Sequence, residues 1–195
     1  MKLAPEKSPL TWTQTWLLIR SDMERLVLHL RANSFGHRCY YAMLPGFQAL
    51  FWHRISRYLF LHGWTRASRL ISLLSMYLTR SELPPTTSIG PSALIAHATG
   101  VYIFGHIGAR MTVHGNGGFG GGFGEEDIGA GPGYAVVGDD VVMGFGARAF
   151  GAIRVGNGVK FGPGTQVMKD VPAGAMVMWT QSRIMTDMLE TPKKP

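Results

Sequence analysis

The sequence predicts an α+β chain in which an N-terminal helical part is followed by a left-handed parallel β-helix of hexapeptide repeats with one protruding loop. Three observations predict it. Apolar residues recur every six positions through the second half. Glycine is concentrated there, with 23 of the 26 glycines after residue 87. The excess positive charge lies wholly before that point, with 11 Lys or Arg against 4 Asp or Glu in residues 1–87 and 8 against 8 in residues 88–195.

Steps of six from Ile89 reach Ile95, Val101, Ile107, Val113 and Phe119, then in the same phase Val137, Met143, Ala149, Val155, Phe161 and Val167. Twelve of the fourteen such positions are apolar, and the exceptions, Glu125 and Gly131, share one Gly-rich acidic stretch. Neither a helix nor an alternating strand has a period of six. A coil of three short strands does, each strand turning one aliphatic side chain inward and each coil burying the next. Gly90, Gly108, Gly120, Gly138, Gly144, Gly156 and Gly162 directly follow inward positions. They are expected to supply positive φ at the corners. Residues 120–134 break the aliphatic rule without shifting its phase and read as a loop thrown out from the coils, a common place for function on a rigid scaffold.

Upstream, Trp12, Trp16, Ile19, Met23, Leu26 and Leu30 stand at helical spacing within Leu10 to Leu30. A break is read at Asn33-Ser34-Phe35-Gly36. A second helix is expected over Phe47 to Leu61, ended by His62-Gly63, and a third over Thr65 to Leu78, with Arg66, Arg69 and Arg80 on its polar side. Ser81 to Thr87, containing Pro84-Pro85, reads as a linker. The expected division is 1–81 helical domain, 82–185 β-helix domain and 186–195 tail.

A 195-residue chain that is 46% hydrophobic can bury a core, and its 10 Phe, 5 Trp and 6 Tyr argue against disorder. Cys39 is the sole cysteine, which excludes an intrachain disulfide and suits a reducing cytoplasm. No secretory signal is read at the start, and the apolar stretch near Leu70 to Leu78 is far short of the roughly 20 residues that cross a bilayer.

Several segments resemble the serine acetyltransferases and their relatives among hexapeptide acyltransferases. They are Leu44-Pro45-Gly46-Phe47-Gln48-Ala49-Leu50 with Arg54, Ile89-Gly90, His97-Ala98-Thr99-Gly100, Phe119-Gly120-Gly121, Val137-Gly138-Asp139-Asp140-Val141, Gly144-Phe145-Gly146-Ala147-Arg148, Val171-Pro172 and Arg183-Ile184. The His-Ala-Thr-Gly tetrad is the specific element. The resemblance implies a homotrimer, or a dimer of trimers joined by the helical parts, that binds acetyl-CoA in a groove between subunits. No metal and no nucleic acid are expected.

Transfer of an acetyl group from a thioester to a hydroxyl requires a base for the hydroxyl proton, and neutral imidazole suits this. Of seven histidines, His97 matches the family's catalytic base. The family orients that base with an Asp fifteen residues earlier, in Asp-Ile-His-Pro, and Glu82 stands there in Glu-Leu-Pro-Pro. Gly120, Gly121, Gly144, Gly146, Ala147, Lys160, Gly162 and Arg183 match cofactor-contacting positions, although a structural corner is an equal reading for each glycine. Cys39 lies in no nucleophile motif.

The chain also departs from the serine enzymes. Ala96 replaces an Asp before the base, Gly133-Tyr134 replaces an Arg-His pair, and Arg31-Ala32-Asn33 replaces Arg-Asp-Pro. Trp179 stands where Gly is usual. Ala96 and Tyr134 are therefore taken as acceptor-side residues. The expected activity is acetyl-CoA-dependent O-acetylation, with a sugar hydroxyl of an exopolysaccharide or capsule precursor as acceptor. The alternatives are a serine O-acetyltransferase of cysteine biosynthesis and a catalytically silent scaffold. The expected location is the cytoplasm, with a peripheral place at the anionic inner face of the membrane through the basic N-terminal part.

Overall fold

A computed structural model describes residues 9–122 and 124–179. Helix α1 spans Trp12–Leu30 and starts at a reciprocal cap, in which Thr11 Oγ1 accepts from the Gln14 N–H and Gln14 Oε1 accepts from the Thr11 N–H. It ends at Arg31, whose backbone is left-handed. The expected break is shorter than read, because Ser34 caps a further helix, α2, over Phe35–Met43. Helix α3 spans Pro45–Leu61, with the proline in the first turn where its missing N–H costs nothing. Helix α4 spans Thr65–Thr79.

Five coils follow. The first holds β1 (Ser81–Glu82), β2 (Ser88–Ile89) and β3 (Leu94–Ile95); the second β4 (Val101–Ile103), β5 (His106–Ile107) and β6 (Thr112–Val113). The third holds β7 (Gly118–Gly120), β8 (Val136–Val137) and β9 (Val142–Met143); the fourth β10 (Arg148–Phe150), β11 (Arg154–Val155) and β12 (Lys160–Phe161); the fifth β13 (Gln166–Val167) and β14 (Met176–Val177). They form three parallel faces, ordered β1-β4-β7-β10-β13, β2-β5-β8-β11 and β3-β6-β9-β12-β14. Ile89 stacks on Ile107, Val137 and Val155 along the second face, and Ile95 on Val113, Met143 and Phe161 along the third. All of these are buried in one continuous core.

Three expectations change. Ser81 to Thr87 is not a free linker, because β1 pairs with β4 and Leu83 is buried. On the first face Ile103, two residues beyond Val101, stacks on Phe119: the His97 corner (96–100) is one residue longer than the later corners 114–117, 144–147 and 162–165, and β4 meets β7 one residue further along its length. Lastly, Gly90, Gly108, Gly138, Gly144, Gly156 and Gly162 do not carry positive φ. They allow coils to approach: a Cβ on Gly108 would lie 2.5 Å from the Gly138 carbonyl. On the second-to-third corner, positive φ falls two residues after the glycine, at Ser92, Arg110, Asp140 and Gly158.

Backbone N–H groups beside the strands donate to the following coil, as Ser88 does to Gly105 and Leu94 to Met111, while corner N–H groups return to the preceding one, as Arg110 does to Pro91. The first coil has no coil above it, and its carbonyls on that side need other donors. One face of α3 supplies what is missing. Arg57 Nη1 donates to the carbonyls of Pro85, Thr86 and Thr87 at 3.2, 3.2 and 2.9 Å. Arg54 donates to those of Ile89 and Gly90 and holds both carboxylate oxygens of Asp22 at 3.0 and 3.2 Å. Asp22, on α1, also accepts from the Ala93 N–H at 2.9 Å. His53 Nδ1–H donates to the Leu83 carbonyl at 3.3 Å. Leu50 enters the core, and a side chain on Gly46 would overlap the Ile95 carbonyl oxygen.

Two predictions follow from this cap. Arg54 and Asp22 are both about 1% exposed. Arg54→Ala leaves a buried carboxylate and two buried carbonyls unpaired, and should cost about 3–5 kcal/mol in chemical denaturation. Burial, reinforced by the positive charges of Arg54 and Arg57, pushes the His53 imidazole down to about 3. Its folded value lies below its ordinary 6.5, so its stabilising contribution is complete above pH 6.5 and is lost as pH falls toward 3. This one group should lower stability by about 2 kcal/mol between pH 7 and pH 5. His53→Gln, which can still donate to Leu83, should flatten that slope in urea titrations at the two pH values.

Candidate active site

The corners that lead from the third face to the first form one edge of the β-helix. His97 stands at its head, in the first coil, and is exposed. It follows the inward Ile95 by two residues, and Ala96 N–H donates to the Val113 carbonyl at 2.9 Å, so the backbone that carries His97 belongs to the ladder. The next coil contributes His114, Gly115 and Asn116, the one after it Gly144, Phe145, Gly146 and Ala147, and the fourth Gly162, Pro163 and Gly164. Their hydrogen bonds run in sequence, His114 N–H to Met143, Gly144 N–H to Phe161 and Gly162 N–H to Val177.

This edge is almost bare of side chains below the histidines. A Cβ on Gly115 would lie 3.1 Å from the Phe145 ring, 3.3 Å from His97 Cβ and 3.3 Å from the Thr99 carbonyl. Gly115 thus makes room for the base. The His97 and His114 rings are 6.2 Å apart, centroid to centroid. Burial holds the His114 imidazole below its ordinary value, with the positive charges of His97 and His29 adding to the effect. Phe145 is 53% exposed beside this pair. The sequence reading passed over His114, Gly115 and Phe145 as site residues. The signal was available, since His114 and Gly115 lie 18 residues, one coil, beyond Ala96 and His97.

The other site residues read from the sequence separate into groups. Gly144, Gly146, Ala147 and Gly162 share the His97 edge. Glu82 is exposed on β1, beside Tyr102 of β4. The adjoining Ser81 Oγ donates to the Ala98 carbonyl at 2.7 Å, which ties its strand to the tetrad. No hydrogen bond joins Glu82 to the His97 ring among the described residues. Lys160 points outward on the third face, between Val142 and Met176. Gly120, Gly121 and Tyr134 lie on a different edge, between the first and second faces. Arg183 lies outside the described residues, as do Phe123 and Ile184.

The loop at that second edge is tied to itself. Gly122 N–H donates to the Gly133 carbonyl at 3.1 Å and Gly133 N–H to that of Glu126 at 2.8 Å. Asp127 Oδ1 accepts from the N–H groups of Gly129 and Gly131 at 2.8 and 3.0 Å, which holds its carboxyl below the usual range. Tyr134 stacks on Phe104 at 5.5 Å. No cluster of three or more metal-ligating side chains occurs among the described residues.

Fold and site together define a left-handed β-helix protein of the hexapeptide class with an exposed histidine at the head of a glycine-lined edge. Solved structures share the fold. A serine acetyltransferase of Entamoeba histolytica in complex with cysteine superposes with a TM-score of 0.78 at 23% identity, covering 90% of this chain and 62% of that one. A serine acetyltransferase complex with CoA gives 0.73 at 21%, covering 89% and 70%. Among curated relatives, a serine acetyltransferase of Helicobacter pylori is 32% identical over 146 residues, 74% of this chain and 83% of that protein. One of Synechococcus elongatus is 33% identical over 142 residues, and one of Bacillus subtilis 35% over 141. No family profile matches the chain. The chain belongs to the serine acetyltransferase family. It spans only 57% of the Synechococcus relative and 65% of one from Mycobacterium tuberculosis.

The loop geometry carries a prediction. Asp127→Ala removes the acceptor that gathers Gly129 and Gly131, so a Glu-specific protease should cut after Glu125 or Glu126 at least several-fold faster than in the wild type, while the coils stay intact by gel and mass spectrometry.

Proposed function

We propose that the chain is an acetyl-CoA-dependent O-acetyltransferase with His97 as general base. The observation that carries this is the exposed His97 at the head of an edge bared by Gly115, Gly144, Gly146 and Gly162, in a member of a family whose relatives are serine acetyltransferases. The His97 ring takes the acceptor hydroxyl proton as the oxygen attacks the thioester carbonyl carbon. The C–S bond then breaks, and the thiolate of CoA receives that proton from the imidazolium. Glu82 is assigned to orient the ring. Gly144, Gly146, Ala147 and Gly162 are assigned to the pantetheine arm, which backbone free of side chains can approach closely.

The proposed assembly is a homotrimer or a dimer of trimers. Gly120, Gly121 and Tyr134 lie on a different edge from His97, and within one chain the two edges cannot line one groove. A second copy set alongside can bring them together. Light scattering should give three or six times the 21.3 kDa chain mass, and a monodisperse monomer at micromolar concentration would contradict the shared site.

L-serine is the acceptor that the relatives favour, over the sugar hydroxyl expected from the sequence. A second reading, another hydroxyl, rests on one observation: Ala96 beside the base and Gly133-Tyr134 on the loop offer no charged group to the ammonium and carboxylate of an amino acid. Each lost hydrogen bond to a charged group is worth about 1.5–3 kcal/mol. Steady-state assays with L-serine decide the acceptor. A kcat/KM of about 10⁴ M⁻¹s⁻¹ or more, the ordinary enzyme range, is expected for a serine enzyme. A value a hundredfold lower, with acetyl-CoA binding intact, transfers the assignment to the second reading.

His97→Ala should lose about 10²–10⁴-fold in turnover while acetyl-CoA affinity changes little. Cys39→Ala should keep most activity. Near-normal turnover in His97→Ala, or a stable acetyl adduct after acetyl-CoA alone, would overturn the direct-transfer mechanism.

A further inference from the structure

Helix α4 is turned inside out. Its buried side chains are Ser68, Ser75 and Thr79; the Ser68 hydroxyl donates to the Ser56 carbonyl of α3 at 2.7 Å and that of Thr79 to the Ser75 carbonyl at 2.7 Å. Leu70, Leu73, Leu74, Tyr77 and Leu78 are exposed, from 46% at Leu73 to 73% at Leu78. At 3.6 residues per turn these five form one continuous stripe opposite the hydroxyl side. A folded chain places its apolar stripe inward unless something else covers it, and an exposed apolar face of this extent marks an interaction surface.

Charge identifies what covers it. Arg66 and Arg69 flank the stripe, Arg80 ends the helix, and α4 contains no acidic residue. The whole of residues 1–87 carries 11 basic against 4 acidic side chains. Trp64, 67% exposed, stands at the helix start. Glu82 lines one groove with Arg69 and Leu73, but the three arginines leave the face net positive, which disfavours pairing with its own copy. An anionic lipid surface satisfies both halves of the pattern. Leu70, Leu73, Leu74 and Leu78 enter the acyl boundary, Tyr77 and Trp64 lie at headgroup depth, and the arginines reach lipid phosphates along their own aliphatic stems. No helix among the described residues is long and apolar enough to cross a membrane, so the contact is one of lying on the surface.

We propose that the exposed face of α4 docks the chain on an anionic phospholipid bilayer, with the leucine stripe inserted and Arg66 and Arg69 on the headgroups. The enzyme would then meet its acceptor beside the membrane, although the docking itself does not depend on which acceptor is used.

Co-sedimentation of the full chain with vesicles tests this. At about 0.1 M salt, binding to vesicles of phosphatidylcholine with phosphatidylglycerol should exceed binding to phosphatidylcholine alone by tenfold or more, and should fall at 0.5 M salt. Leu73→Glu with Leu74→Glu should weaken anionic-vesicle binding at least tenfold, and so should Arg66→Gln with Arg69→Gln. Near-UV circular dichroism checks that each variant keeps its packing, and the arginine pair carries the test if the glutamate pair does not fold. The proposal is overturned if the wild type does not pellet with anionic vesicles, or if neither folded variant weakens pelleting. It is equally overturned if the wild type does not bind but Leu73→Glu with Leu74→Glu splits a larger assembly in light scattering, since copies of the chain would then cover the face.

Discussion

A stacked β-helix has an open end, and closing that end is the constraint on which the rest of this molecule depends. Several carbonyls of the first coil have no coil above them, and left bare in an apolar interior each would cost on the order of 1–3 kcal/mol. One stripe along α3 answers them. Arg57 takes one corner, Arg54 the next, His53 the carbonyl of Leu83, and Gly46 lets the helix rest against Ile95. Arg54 could not be buried without a counter-charge, and Asp22 of α1 supplies it. The helical part is therefore the lid of the β-helix rather than an appendage, and α1 is held to it by that ion pair and by the packing of Ile19, Leu26 and Val27 against Tyr41, Phe47 and Leu94.

The same cap fixes the height of the candidate site. His97 lies in the first coil, directly under the lid, on a backbone laddered to the second coil and tied by Ser81 Oγ to the strand that carries Glu82. Below it the edge is stripped of side chains because the coils are close enough that a Cβ on Gly144 would meet the Phe161 carbonyl at 2.7 Å. Close stacking keeps side chains off Gly144 and Gly162, while a left-handed backbone favours glycine at Gly146 and Gly164; Phe145 remains exposed among them. Backbone that carries nothing can be approached by a long flexible arm, so a demand of packing also leaves room for a ligand.

Much of this was legible beforehand. The period of six places the inward residues of the second and third faces correctly, because a coil that buries one aliphatic side chain per strand leaves no other spacing. The His-Ala-Thr-Gly tetrad and the loop at 120–134 also stand where the spacing puts them. The failures have local causes. Helix α2 was missed because Phe35-Gly36 reads as a break, whereas Ser34 caps a helix there. Val101 is buried where the period puts it, but Ile103 stacks on Phe119 because the first face runs two residues out of phase between Ile95 and Ile107, which no period reveals. The short glycine-containing corners suggested positive φ, but most of the glycines that follow inward positions answer to the neighbouring coil and not to their own backbone.

What the sequence determined by itself is what arises from local repetition: the β-helix, the helical character of the first part, the uneven charge and the candidate base. What only the tertiary structure decided is everything that joins residues far apart in the chain. It pairs Arg54 with Asp22 and sets both against the first coil. It stacks His114 on the next coil below His97, and it separates Gly120, Gly121 and Tyr134 onto another edge. It also turns the leucines of α4 outward and its serines in. The helical period of α4 is plain in the sequence, but which side of it faces the protein is not, because the inner side lies against α3, where Ser68 reaches the Ser56 carbonyl as a leucine could not.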